Sequence, residues 1–167
     1  MSHKLQQNMP HIDAILQDER FQHGLQRITE LEKDRIFCCH GFVHLLDVAR
    51  IAWIVALEQQ IPVQKHIVYG AALLHDLGRY RQYEEQTPHH QASAELAEAI
   101  LPEAGYTDDE TKQIIDAIWQ HGTEPTEQGA LARILYDADK LSRTCFQCSA
   151  QTECKWKEDK RNKTILY

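Results

Sequence analysis

An all-α bundle of about six or seven helices is the fold class this sequence predicts, and three observations carry it. Apolar residues recur at helical spacing, most clearly where His44, Val48, Ile51, Ala52 and Val55 fall at i, i+4, i+7, i+8 and i+11. No segment alternates convincingly with period two, and no Asn-Gly or Asp-Gly hairpin turn occurs. A chain of 167 residues, 43% of them hydrophobic, is long enough to bury one sizeable core without staples. We therefore expect residues 1–167 to form a single domain.

Pro10 suits the first turn of a helix whose apolar side is Ile12, Ile15, Leu16 and Phe21. Leu25, Ile28 and Leu31 continue the spacing after Gly24, and a break follows around Arg35 to Gly41. The amphipathic run through His44 comes next, closed by Gln59-Gln60 and Pro62. Val63 to Leu77 reads as a helix ending in His75-Asp76, with Gly78 at the C′ position. Arg79 to Pro88 is polar and reads as a loop. A helix from about His89 to Leu101 turns Ala92, Leu96, Ala97 and Ile100 inward, and Pro102 and Gly105 break it. Thr107 and Glu110 have capping-box spacing, which starts a helix through Ile114, Ile115, Ile118 and Trp119 and on to His121-Gly122. Leu131 to Leu141 is the last helix, and residues 143–167 form a Cys-rich, charged C-terminal segment.

The formal net charge is −7, which argues against nucleic acid as the main partner, because phosphate-backbone binding needs a basic face. No apolar run approaches the ~20 residues of a membrane span, and Met1 to Met9 lacks the apolar core of a signal peptide. These readings place the protein in the cytoplasm, where its five cysteines are reduced thiols or metal ligands. Ten histidines is a high count for this length. His3, His11, His23 and His66 read as tail or surface residues.

The chemistry gathers at Ala71-Ala72-Leu73-Leu74-His75-Asp76-Leu77-Gly78. An apolar run that wants burial carries an imidazole and a carboxylate in its last turn, and burying a charge without a partner costs several kcal/mol. Taken alone, the pair reads as a helix-end hydrogen bond. But His44 and His121 also lie on apolar helix faces, and Asp139 shares the face of Leu131 and Leu135. Four helices each bringing an imidazole or carboxylate inward point to one shared cause. Such a mixed ligand set suits Zn, Mn, Fe, Co or Ni.

The order His44, His75-Asp76, Asp139 resembles the HD-domain superfamily of metal-dependent phosphohydrolases. The matching segments are His44-Leu-Leu-Asp-Val-Ala-Arg50, Leu73-Leu-His-Asp-Leu-Gly78 and Asp137-Ala-Asp-Lys-Leu141. The resemblance implies an HD-type helical core over residues 10–142, with a divalent metal (Mn, Fe, Co, Ni, Zn or Mg) held by His44, His75, Asp76 and Asp139. It also implies a second ion held with His89 and His121, Asp76 bridging the two. His90 rivals His89, and spacing alone does not separate the adjacent pair. The expected activity is hydrolysis of a small phosphorylated metabolite, nucleotides included, by metal-activated water at a centre containing His75 and Asp76. Arg79, Arg81, Lys140 and Arg143 are the cations available for substrate phosphates, Arg79 and Lys140 being nearest the reacting centre. A non-enzymatic sensor and an HD-type di-iron oxygenase are the alternative readings.

Cys145-x2-Cys148-x5-Cys154 is no part of that pattern. If the helices of His44 and Asp139 run antiparallel, Cys38-Cys39 and Cys145 lie toward the same end, each step being roughly 7–9 Å at 1.5 Å per residue. Cys38, Cys145, Cys148 and Cys154 are thus expected as a thiolate site for structural Zn or an iron–sulfur centre, with Cys39 the alternative to Cys38 and packed reduced thiols the alternative to the site.

Overall fold

A computed structural model describes residues 8–123 and 129–167. Among these residues there are eight α-helices and no strand: α1 Pro10–Gln17, α2 Glu19–Leu31, α3 Phe42–Glu58, α4 Lys65–Leu74, α5 Arg79–Glu85, α6 His89–Glu103, α7 Asp108–Gln120 and α8 Ala130–Leu141. Two 3₁₀ turns follow, at Cys145–Gln147 and Glu158–Lys160. No helix among the described residues is long and apolar enough to cross a membrane.

The all-α expectation holds. Helix α4 is the centre, because its residues 67, 68 and 70–74 are all buried. A helix that is apolar on every side can only sit inside. α3 and α7 pack against it, and α8 packs on α3 and α7. Leu45, Val48 and Ala52 of α3, Ile114 and Ile118 of α7, and Leu131 and Leu135 of α8 are at most 3% exposed. Each large side chain so buried contributes about 1.5–3 kcal/mol against its exposed state. Small residues let the backbones approach: a Cβ on Gly70 would meet the Tyr106 side chain, and one on Gly24 would meet Leu77.

Three boundaries differ from expectation, each for a local reason. The break in the first helical stretch falls at Asp18, whose carboxylate accepts from the Arg20 and Phe21 N–H groups and caps α2, leaving Gly24 inside the helix. α4 stops at Leu74, short of Leu77, because the chain tightens into i→i+3 bonds, Leu77 N–H to Leu74 O (3.2 Å) and Arg79 N–H to Asp76 O (3.0 Å). The expected loop at Arg79–Pro88 contains α5, a helix without one buried residue. Charge pairs hold it instead, Arg81 to Glu85 at 3.0 Å and to Glu95 at 2.7 Å, with Glu84 paired to Arg27 of α2. Such a helix has no apolar period to read. The Thr107–Glu110 capping box forms as expected. His66 is half-buried, bonded to Glu110 at 2.9 Å and stacked on His11. His3 lies outside the described residues.

Candidate metal centre

Gly78 explains why the turn after α4 can carry two ligating side chains into the interior. Its φ is −76°, so it is no left-handed C′ residue, and its need for glycine is one of space. A Cβ there would strike the backbone of Ala92 and Ser93 in α6, and its N–H donates to Ser93 Oγ at 2.8 Å. The turn is thereby pressed onto α6, where His75 (0% exposed) and Asp76 (1% exposed) project into the bundle.

Around Asp76 the chain assembles two sets of ligand-type atoms. One comprises His44, His75, Asp76 and Asp139, the other Asp76, His89 and His121, and within each the atoms lie within 4.8 Å of one another. The two Asp76 oxygens divide between them. Oδ2 lies 3.3 Å from His75 Nε2 and 3.7 Å from His44 Nε2, while Oδ1 lies 3.5 Å from both His89 Nε2 and His121 Nε2. Asp139 Oδ1 is 3.5 Å from His44 Nε2. His89, not His90, faces the centre; His90 sits edge-on to Trp119 at 5.4 Å between centroids.

The state of these groups fits a cation. The Nδ1–H of His75 donates to Ala72 O at 2.7 Å and that of His121 to Ile118 O at 2.6 Å. His89 Nδ1–H donates to Gln82 Oε1 at 2.9 Å. Each bond fixes the tautomer that leaves Nε2 as a bare acceptor, the usual second contact of a ligating imidazole. His44 Nε2 and His75 Nε2 are buried without any hydrogen-bond partner, and an ion would satisfy both. Burial pushes the His75 pKa down, and burial with the Arg79 charge pushes His89 down to about 3, so both rings are neutral. Burial alone would raise the Asp76 carboxyl, but the Arg79 charge beside it outweighs that and holds it well below the usual range. Asp139 is likewise lowered to about 2, Lys140 outweighing the burial. Neutral imidazoles and ionised carboxylates are the forms that bind metals.

The expected cations separate. Arg79 Nε donates to Asp76 Oδ1 at 3.0 Å and borders the centre. Lys140 is held on Asp139 Oδ2 and over the Tyr136 ring. Arg143 lines the open cleft beside the centre. Arg81 is placed differently: it pairs with Glu85 and Glu95.

The cysteines are placed less closely. Cys38, Cys39, Cys145, Cys148 and Cys154 all line the cleft. Yet among the described residues no three thiol sulfurs gather within 4.8 Å of one another, as both sets around Asp76 do. Cys39 Sγ turns back to Phe37 O at 3.5 Å. Partial desolvation raises the Cys38 thiol, against the pull of Arg143 and with neighbouring Cys145 and Cys148 adding to the rise, which keeps the proton on sulfur.

The sequence reading missed a third group. His40 is buried, its Nε2 lying 4.0 Å from Asp76 Oδ2. Its Nδ1–H and backbone N–H both donate to Glu32, each at 2.6 Å, and Tyr83 O–H donates to the same carboxylate at 2.6 Å. Burial raises the Glu32 carboxyl, but the His40 and Tyr83 bonds win and the net shift is downward. His40 stands four residues before His44, a spacing that hints at a shared site; nothing near Glu32 in the chain marks it.

The half-open cleft measures about 1030 Å³ and runs from His44 and Asp139 to Arg143 and Trp156. The start of α3 and the end of α8 meet across it.

A family profile described as HD domain matches residues 41–144. An uncharacterised protein of Clostridium beijerinckii is 40% identical over 159 residues, covering 95% of this chain and 100% of its own length. Ribonuclease Y of Mycoplasma mycoides is 31% identical over 99 residues, 59% of this chain and 18% of that protein; the chain thus spans under a fifth of it. A solved structure, a predicted HD superfamily hydrolase from an uncultured Thermotogales bacterium, superposes with a TM-score of 0.61 at 25% identity, covering 92% of this chain and 87% of that one.

Proposed function

The chain belongs to the HD-domain family, and on that premise we propose that it is a metal-dependent phosphohydrolase of small phosphorylated metabolites, nucleotides among them. The observation that carries the reading is Asp76: a buried, ionised carboxylate whose two oxygens face two separate imidazole sets. His44, His75, Asp76 and Asp139 would hold one divalent ion, and Asp76, His89 and His121 a second. Bound there, such ions lower the pKa of water toward ~7 and offset charge on phosphoryl oxygens.

The chain's own residues do the rest. Arg79, at 3.0 Å from Asp76, is placed to hold a phosphoryl oxygen beside the ligands. Glu32 and Tyr83 fix the His40 ring so that its Nε2 faces the same centre and can accept a hydrogen bond from water or substrate there. The open cleft beside Asp139 leaves room for the body of a substrate. A diester is the other bond such a site hydrolyses, as the likeness to ribonuclease Y suggests, but the net charge of −7 favours small substrates over RNA.

The test is phosphate release from a panel of nucleotides and phosphomonoesters, with diesters and a short RNA alongside, using protein loaded in turn with Mn, Fe, Co, Ni, Zn or Mg. We expect turnover of a small monoester that chelation abolishes and one of these ions restores. Metal-loaded protein inert on the whole panel overturns the reading; oxygen consumption by the iron form would make it an oxygenase.

A further inference from the structure

Arginine pairing divides this molecule. Arg20, Arg27 and Arg81 are held by carboxylates. Arg35 and Arg143 face the cleft, and among the described residues neither has a carboxylate within ion-pair distance. Arg35 spends only its Nε, on Cys38 O at 2.8 Å. The Arg143 guanidinium carbon lies over the Trp156 ring, 4.1 Å from its centroid. Stacking fixes the plane of a guanidinium and leaves its edge N–H donors free. In a chain of net charge −7, two unpaired guanidiniums on one cleft are a local reversal of sign.

The wall that carries Arg143 is built rigidly. Asn162 Nδ2 donates to Lys140 O, Leu141 O and Arg143 O at 2.9, 3.2 and 2.8 Å, which locks the end of α8 and the backbone of Arg143 itself. Arg161 donates to Gln151 O, Cys154 O and Trp156 O at 2.9, 2.8 and 2.8 Å, which fixes the loop bearing Trp156. A fixed receptor loses less entropy on binding. Arg143 and the end of α8 fall inside residues 41–144, the part matching the family profile, whereas Arg35, Trp156, Arg161 and Asn162 fall outside it. The cleft, about 1030 Å³, also exceeds what one phosphate fills, since clefts of ~300–1,000 Å³ take whole drug-sized ligands.

We propose that Arg143, stacked on Trp156, and Arg35 form a second anion subsite that selects substrates bearing a further anionic group, a second phosphate above all, away from the phosphate held at the metal centre. The inference rests on the phosphohydrolase reading for which end reacts, but not for the binding itself. The subsite makes a bisphosphorylated compound a better substrate than a monoester of similar size.

Two measurements on the full-length, metal-loaded protein test it. The first is the ratio of kcat/KM for adenosine 3′,5′-bisphosphate to that for adenosine 5′-monophosphate. Losing a charge-assisted bond in Arg143→Gln should cut this ratio about tenfold or more, with Arg143→Lys recovering part of it and Arg35→Gln acting in the same direction. The second is equilibrium binding of adenosine 3′,5′-bisphosphate, followed by Trp156 emission against a Trp156→Phe control. We expect its affinity to fall in Arg143→Gln and Arg35→Gln and to weaken steeply with salt. Arg-dependent binding without hydrolysis of either compound keeps the subsite, and the hydrolase reading then falls only if the whole phosphate panel is inert as well. Hydrolysis of both compounds with an unchanged ratio in both folded variants overturns the subsite. So does binding indifferent to Arg35 and Arg143.

Discussion

Two regions of this molecule present metal-ligand residues in suggestive order, and only one brings them together. The His/Asp residues converge on Asp76 from α3, the turn after α4, α6, the end of α7 and α8. The cysteines stand on the irregular segments 32–41 and 142–157 and share a cleft wall without clustering. The difference lies in what fixes each side chain. His44 rides on a helix whose neighbours Leu45, Val48 and Ala49 are fully buried, so core packing sets where its ring points. Cys38 and Cys39 are exposed, and no packing constraint aims their sulfurs. Spacing predicts convergence where a packed core converts it into position.

The largest effect should come from breaking the converging region at its hub. Asp76→Asn removes the one carboxylate common to both ligand sets. Its cost in metal affinity should exceed the 10–100-fold typical of losing an outer-shell partner, and phosphate release should fall with it. Metal content by elemental analysis, next to turnover at saturating metal, checks this. A variant that keeps its full metal complement and its activity would remove Asp76 from the centre.

The legible part of the site follows from the same contrast. His44, His75, Asp76, His121 and Asp139 could be read because each sits on or beside an apolar helical run, where a polar side chain stands out against its neighbours. His89 was narrowed only to an adjacent pair, because the start of α6 presents two histidines and no apolar period yet separates their faces. Its rotation is set by the press of Ala92 and Ser93 on Gly78, a long-range contact. Glu32 was invisible for a stronger reason. It follows α2 directly, in a charged stretch that reads as solvent-facing, and its 5% exposure arises only when the loop carrying His40 and the polar α5 carrying Tyr83 close over it. Such polar helices and polar pairs leave no hydrophobic trace in sequence.

That closure gives a prediction of middle size, with a defined pH window. The folded Glu32 carboxyl titrates below its ordinary value near 4.5, so the unfolded chain takes up its proton first as pH falls. Its contribution is therefore present above that value and is lost as pH drops through the lower, folded one. Glu32→Gln should lower stability near pH 7 by about 1–3 kcal/mol, the cost of disturbing a buried hydrogen-bonded acceptor. The gap between wild type and variant should close in acid. Urea unfolding at pH 7 and pH 3.5 measures both arms, and a gap that widens in acid would mean that Glu32 is protonated in the folded protein.

The smallest effect should come from the region that does not converge. If the cleft cysteines are reduced thiols, Cys145→Ser with Cys148→Ser exchanges groups that are neither core nor ligand. Substitutions of this kind usually stay within about 0.5 kcal/mol each, so Tm should move by no more than about 2–4 °C in a chain of this size. The metal bound per chain should not change, and neither should its competition with a chelator. A thiolate centre predicts the opposite on both counts. Structural zinc contributes on the order of 10 kcal/mol to folding, and its removal would shift Tm far beyond that range while costing one equivalent of metal. Among the described residues the cleft sulfurs form no group of three within 4.8 Å of one another. Purified without chelator, wild type and double variant should therefore carry the same metal, and the Asp76→Asn protein should carry less.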